Sequence, residues 1–261
     1  MKKNYELKDL ETIMDTLLGE NGCAWDKEQT HETLKKHLLE ESYEVIGAIE
    51  ANDTDNLCEE LGDLLLQVVF HTKLAEKEKQ FTMEDVIAGI CQKLIRRHRH
   101  IYGDDVMETP EAVTDNWEKI KQEEKQQSLT DSMKAIPTAM PALFRSQKVQ
   151  NKAAKVNFDF DNINDAFAKI MEEIEELKAE ISINGNVEGE FGDILFSIVN
   201  ISRFLQINPE FALTKSTEKF ITRFGYIESV VCSTGRTFSD LTQHEMDSLW
   251  NESKIIFKED I

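Results

Sequence analysis

The chain predicts an all-α fold of two tandem, similar helical domains, each built around an acidic antiparallel helix pair. Three observations predict it. Turn formers are scarce, with 11 glycines and 4 prolines among 261 residues. Apolar residues recur at helical spacing along most of the chain. One acidic pattern occurs twice: Glu40, Glu41 and Glu44 followed by Glu60 and Asp63, then Glu172, Glu173 and Glu176 followed by Glu190 and Asp193.

Leu7, Leu10, Ile13, Met14 and Leu17 give residues 6–18 the stripe of an amphipathic helix. Residues 19–30 read as a loop holding Trp25, either a core plug or a ligand contact, and Thr30 is placed to cap the next helix. At about 100° per residue, Glu40, Glu41 and Glu44 share one arc of that helix beside Leu38, Val45, Ile46 and Ile49. A short link across 51–55 turns the chain back. In the returning helix Leu57, Leu61, Leu64, Leu65, Leu66, Val68, Val69 and Phe70 lie on nearly every side, the pattern of a buried helix, and leave Glu60, Asp63, Gln67 and His71 as its polar arc. Residues 75–80 read as a link, 83–98 as a helix ending in Lys93, Arg96, Arg97 and His98, and 116–125 as a polar helical tail. The terminal cations suit either the helix dipole or the oxygens of a triphosphate.

Pro137 and Pro141 among small residues mark 128–147 as an interdomain linker, which bounds the domains at 1–127 and 148–261. Asp161 or Asn164 is placed to cap the helix that carries Glu172. Residues 184–186 turn that pair, Pro209 breaks the chain after the second helix, 212–224 repeats the basic helix, and 242–257 forms the last one. The copies align at similar offsets: Glu41 with Glu173 at 132 (173 − 41), Asp63 with Asp193 at 130 (193 − 63), Lys93 with Lys219 at 126 (219 − 93) and Trp117 with Trp250 at 133 (250 − 117).

Fifty acids against 30 bases give a formal charge of −20, which argues against a nucleic-acid polymer as partner, since phosphate contacts need dense Lys and Arg. A small phosphorylated ligand held through metal ions is compatible with that charge. No apolar run suits a membrane span or a signal core, and Cys23, Cys58, Cys91 and Cys232 show no CxxC spacing. The expectation is a cytoplasmic protein with reduced thiols, Cys58 and Cys91 filling the core.

If the acids of each pair converge, they repel by about 4 kcal/mol per pair at 4 Å and an effective dielectric near 20, and a cation would relieve that repulsion. The alternative is a solvated acidic face. Carboxylates without His or Cys are hard ligands, which favours Mg²⁺, with Mn²⁺ as a substitute. A di-iron carboxylate bundle would need Glu-x-x-His, and the chain has Glu60-x-x-Asp63 and Glu190-x-x-Asp193.

The doubled Glu-Glu-x-x-Glu and Glu-x-x-Asp pattern, the stretch Gly-Cys-Ala-Trp-Asp-Lys-Glu-Gln-Thr at 22–30 and Lys93-x-x-Arg96-Arg97 together resemble the MazG nucleoside triphosphate pyrophosphohydrolases over nearly the whole chain. The resemblance implies all-α NTP pyrophosphatase domains that cleave between the α- and β-phosphates. The products are a nucleoside monophosphate and pyrophosphate, specificity is broad, and the role is nucleotide-pool house-cleaning. It implies Mg²⁺ on Glu173, Glu176, Glu190 and Asp193, with Glu172 placing water or metal. Lys219 and Arg223 would bind phosphates, and Asn200 and Trp250 the nucleoside. The matching first-domain set is Glu40, Glu41, Glu44, Glu60, Asp63, Lys93 and Arg97. Two-domain relatives commonly rely on the C-terminal copy, which carries Asn200 where the first has Phe70. The resemblance also implies a homodimer. The non-enzymatic alternative is a catalytically silent acidic helical adaptor.

Overall fold

A computed structural model describes residues 4–103, 109, 112, 113, 116, 117, 120 and 128–258. The described residues form helices and no strand. They fall into two compact units, Met1–Glu124 and Lys125–Ile261. Of the expected tail, 118, 119 and 121–125 lie outside the described residues.

The first unit runs α1 (Leu7–Leu18), α2 (Ala24–Glu28), α3 (His31–Glu50), α4 (Thr54–Lys77), α5 (Met83–Arg97) and α6 (Arg99–Tyr102). Thr30 caps α3 through a reciprocal box with Thr33, its hydroxyl accepting the Thr33 N–H at 3.2 Å while Thr33 Oγ1 accepts the Thr30 N–H at 2.9 Å. Asn52 takes the left-handed conformation that lets α3 turn sharply, and the Asp53 carboxylate accepts the Asn56 N–H to start α4. The core gathers Met14 of α1, Leu34 of α3, Val69, Phe70 and Leu74 of α4 and Met83 of α5. Lys73 ties α1 to α4, its ammonium 3.1 Å from Asp15 and 2.9 Å from Glu76. Those carboxylates hold its pKa up against the downward pull of burial.

The second unit runs α7 (Leu129–Lys134), α8 (Ala142–Ala154), α9 (Ile163–Ile183), α10 (Val187–Phe204), α11 (Pro209–Ser233), a 3₁₀ turn (Phe238–Asp240) and α12 (Gln243–Ile256). Asn184 repeats the left-handed turn between the paired helices, and Asn186 caps α10 through the Gly189 N–H. Packing joins α9 to α10, α8 to α10 and α11, and α11 to α12.

Several expectations change. The 19–30 loop contains α2, and the link expected at 75–80 shortens because α4 continues to Lys77. The cap of α9 is Asn162, whose side chain accepts from the Asn164 and Asp165 N–H groups, rather than Asp161 or Asn164. Pro209 opens α11 at its first turn, where its missing N–H costs nothing. Residues 128–147 carry α7 and the start of α8, bury Ile136, and anchor through the Gln147 amide, which donates to Ile207 O at 2.7 Å and Ser202 Oγ at 3.1 Å. Cys58 and Cys91 are exposed rather than core filler, because each sits on an outward arc of its helix. The paired helices α4 and α10 are buried on one side only: Leu61, Leu65 and Val68, and Phe191, Leu195 and Ile198, stay exposed in the single chain.

Met14→Ala is expected to lower the unfolding free energy of the first unit by about 2–5 kcal/mol, read as an earlier denaturation midpoint. The exposed Ile255→Ala is expected to change stability by less than about 0.5 kcal/mol.

Candidate metal and nucleotide site

Each helix pair brings three carboxylates together. Glu41 of α3 meets Glu60 and Asp63 of α4, and Glu173 of α9 meets Glu190 and Asp193 of α10, in each case with oxygens within 4.8 Å of one another. Glu44 completes the first cluster, within hydrogen-bonding reach of Glu41 and Glu60. Glu176 faces Glu190 in the second. Glu40 and Glu172 turn aside to side chains on their own helices: Glu40 to the His37 imidazole at 3.1 Å, and Glu172 to the Lys169 ammonium at 2.9 Å.

The electrostatics carry the mark of crowded carboxylates. Loss of hydration raises the pKa of Glu60 and Glu190, and like charge adds to it, from Glu44 and Asp63 in one cluster and from Glu176 and Asp193 in the other. Glu41 is raised for the same reasons. Carboxylates crowded by other carboxylates, with no His or Cys among them, fit a hard divalent cation.

Lys169 escaped the sequence reading. Its ammonium lies 2.6 Å from Glu173 Oε1, and the Glu173 and Glu172 carboxylates hold its proton more firmly than usual. The signal was present as Lys169-x-x-Glu172-Glu173, a spacing of three and four that stacks the groups on one helical face. The first copy has His37 at the same spacing from Glu40 and Glu41.

The second cluster opens into a cavity of about 630 Å³. Lys169, Glu173 and Asp193 line one part of it, and Gln150, Phe158, Asp159, Phe160, Phe196 and Asn200 line another. Arg203 stiffens this wall, its guanidinium 2.6 Å from Asp159 and 2.8 Å from Asn151 Oδ1, which keeps the Asp159 carboxyl below its usual pKa. In the first unit the equivalent position to Asn200 is Phe70, buried against Met14 in the core.

Other expected residues stand apart from the cavity within the single chain. Lys219 and Arg223 lie on α11 and Trp250 on α12, where the Trp250 ring meets Phe220 at 5.3 Å. None of the three lines the cavity. Lys93 is exposed near the end of α5, one turn before the half-buried Arg97. Trp25 is 54% exposed, edge-on to His37 at 5.8 Å, so it plugs no core.

The family model of the MazG nucleotide pyrophosphohydrolase domain matches this chain twice, at residues 29–102 and 162–226. The chain belongs to the MazG family. It is 43% identical over 247 residues to the Thermotoga maritima nucleoside triphosphate pyrophosphohydrolase/pyrophosphatase MazG, covering 95% of each chain. It is 41% identical to the nucleoside triphosphate pyrophosphohydrolase of Escherichia coli K12, covering 95% of this chain and 97% of that one. A match of 44% identity to Bacillus subtilis YabN, an uncharacterized protein, covers 96% of this chain and 52% of the relative. The two MazG matches contain the two carboxylate clusters, α3 with α4 and α9 with α10. No helix of the described residues is long and apolar enough to cross a membrane.

Because the folded pKa of Glu190 stands above its ordinary 4.5, its favourable contribution is present in acid and is lost as pH rises through the raised value. At neutral pH the metal-free chain is therefore expected to melt a few degrees higher when Mg²⁺ is added. Glu60→Gln with Glu190→Gln should raise the metal-free midpoint and erase the Mg²⁺ increment, measured by calorimetry.

Proposed function

We propose that this MazG-family enzyme hydrolyses nucleoside triphosphates between the α- and β-phosphates and that the second unit carries the catalysis. The observation that carries the reading is the Glu173, Glu190 and Asp193 cluster opening into a cavity wide enough for a nucleoside. The first unit has the acids, but Phe70 and Met14 pack together where the second unit opens.

In this reading Glu173, Glu176, Glu190 and Asp193 hold Mg²⁺, with Mn²⁺ as a substitute. The bound metal would offset phosphate charge and acidify a coordinated water. Glu172 lies beside that set and is available to orient water or accept its proton. Lys169, held by Glu173 and Glu172 at 2.6 and 2.9 Å, bridges two carboxylates and is freed to face phosphate oxygens as those carboxylates turn to the metal. Asn200 reaches the nucleoside from the cavity wall.

Lys219, Arg223 and Trp250 join the site from a second copy of the chain in a homodimer. Exposed Phe191, Leu195 and Ile198 on α10, and Phe220, Ile221 and Phe224 on α11, support that partner, since apolar faces of this extent are costly to leave in water. Glu40, Glu41, Glu44, Glu60, Asp63, Lys93 and Arg97 form the corresponding first-unit set, in which Phe70 stands where the second unit has Asn200. The four exposed free thiols suit a reducing cytoplasm. Broad acceptance of altered and ordinary triphosphates would serve nucleotide-pool cleaning.

Pyrophosphate release with Mg²⁺ is expected to fall more than about 100-fold in Glu173→Gln with Glu176→Gln, because several kcal/mol of transition-state stabilisation leave with the metal. Glu41→Gln with Glu44→Gln should keep most of the release, and a folded native chain that releases none from any triphosphate contradicts the proposal. Sedimentation at micromolar concentration is expected to give a dimer mass, and a monomer contradicts the shared site.

A further inference from the structure

Residues 155–162 join α8 to α9 without helix, yet Asn157, Phe158, Asp159 and Phe160 from this connection form a wall of the second unit's cavity. The backbone is pinned on both sides of Phe158. Before it, Asn157 takes a left-handed φ of 61°, and the Asn157 and Phe158 N–H groups donate to Ala154 O at 2.9 Å and Ala153 O at 3.2 Å. After it, the Asp159 carboxylate accepts from Arg203 Nη1 at 3.1 Å and Nη2 at 2.6 Å, from the Phe160 N–H at 3.0 Å and from the Asn200 side chain. All three guanidinium nitrogens of Arg203 are engaged, because Nε donates to Asn151 Oδ1 of α8 at 2.8 Å. One side chain of α10, itself 9% exposed, thus ties α8 to the connection. A planar fork holds a carboxylate in a geometry that a lysine ammonium does not reproduce.

The ring carried by this braced backbone is left in water. Phe158 is 81% exposed, more than any other large apolar side chain among the described residues. Apolar surface left in water is unfavourable, and a ligand that covers the ring recovers that loss. Glu173 and Asp193 line the same cavity, so a triphosphate engaged there has its nucleoside in the space that Phe158 borders. Every base has a flat π-face that an aromatic ring can cover whatever its hydrogen-bonding edge, which agrees with broad acceptance.

We infer that Phe158 packs against the base of the bound nucleotide and that Arg203 is a positioning residue, acting through Asp159 to hold that ring in place. The inference rests on the triphosphate reading of this cavity and adds the residues that grip the nucleoside end. Nothing in the sequence pairs Asp159 with Arg203, 44 positions on.

Calorimetry on the full-length chain with Mg²⁺ gives the Kd of the α,β-methylene analogues of ATP and UTP, and of inorganic tripolyphosphate, which has no base. Phe158→Ala and Arg203→Lys are each expected to weaken both analogues by about ten-fold. Tripolyphosphate binding should stay within about two-fold of native, as should kcat for ATP and UTP while KM rises. Because Arg203 acts through the ring, adding Arg203→Lys to Phe158→Ala should weaken the analogues by no more than about a further two-fold. Phe158 is exposed, so its truncation leaves the fold intact, and Asp159→Asn makes the second comparison should Arg203→Lys fail to fold. Unchanged analogue binding in Phe158→Ala, a parallel loss of tripolyphosphate, losses that multiply in the double variant, or a native chain that binds neither analogue overturns the inference. Analogue binding with the expected losses but no pyrophosphate release from any triphosphate would overturn the hydrolase reading and leave the Phe158 contact standing. Release by the native chain with binding indifferent to Phe158 would do the reverse.

Discussion

Carboxylates carried by two packed helices must share one partly dehydrated space, and much of the molecule follows from that constraint. Helix packing brings Glu41 to Glu60 and Asp63, and Glu173 to Glu190 and Asp193, while like charge and lost hydration push back. The chain contains the repulsion in two ways. Apolar contacts and left-handed turns at Asn52 and Asn184 hold each pair closed, and neighbouring side chains bond the outer acids, His37 with Glu40 and Lys169 with Glu172. Lys169 also meets Glu173, but the acids of the inner clusters outnumber it, and that excess of negative charge suits a divalent ion.

The two copies spend the same framework differently. In the first unit Phe70 and Met14 complete a core of aliphatic and aromatic side chains, and the polar arc of α4 ends in His71, whose Nδ1 meets that of His31 at 2.8 Å. In the second unit Asn200 and Gln150 line a cavity whose polar groups are braced by Arg203 and Asp159. Replacing apolar core by satisfied and half-satisfied polar groups gives up packing energy and gains a place for a ligand. The duplication therefore puts an apolar core residue, Phe70, and a polar cavity-lining residue, Asn200, at one position of the same framework.

The fold was legible because its signals are local. Turn scarcity, helical apolar spacing and a repeated acidic pattern each describe a few turns of helix, and the paired helices fall where they were expected. The acids that converge were also legible, since Glu41, Glu60 and Asp63 and their counterparts sit on the polar arcs of apolar helices. Features set by distant contacts were not. The segment at 128–147 read as a linker from its prolines, and its burial depends on Gln147 reaching Ser202 and Ile207 some sixty positions away. Gln150 showed nothing in sequence, because its burial is set by a hydrogen bond to the carbonyl of Phe196 on another helix. The outward sides of α4 and α10 read as buried because apolar composition does not say whether its cover comes from the same chain.

The most direct measurement of the central claim is anomalous diffraction from crystals of the protein grown with Mn²⁺ and a non-hydrolysable triphosphate. The account expects anomalous peaks among Glu173, Glu176, Glu190 and Asp193, joined to the triphosphate oxygens, with the base in the cavity beside Asn200. A bound nucleotide whose metal peaks lie away from those carboxylates would contradict it.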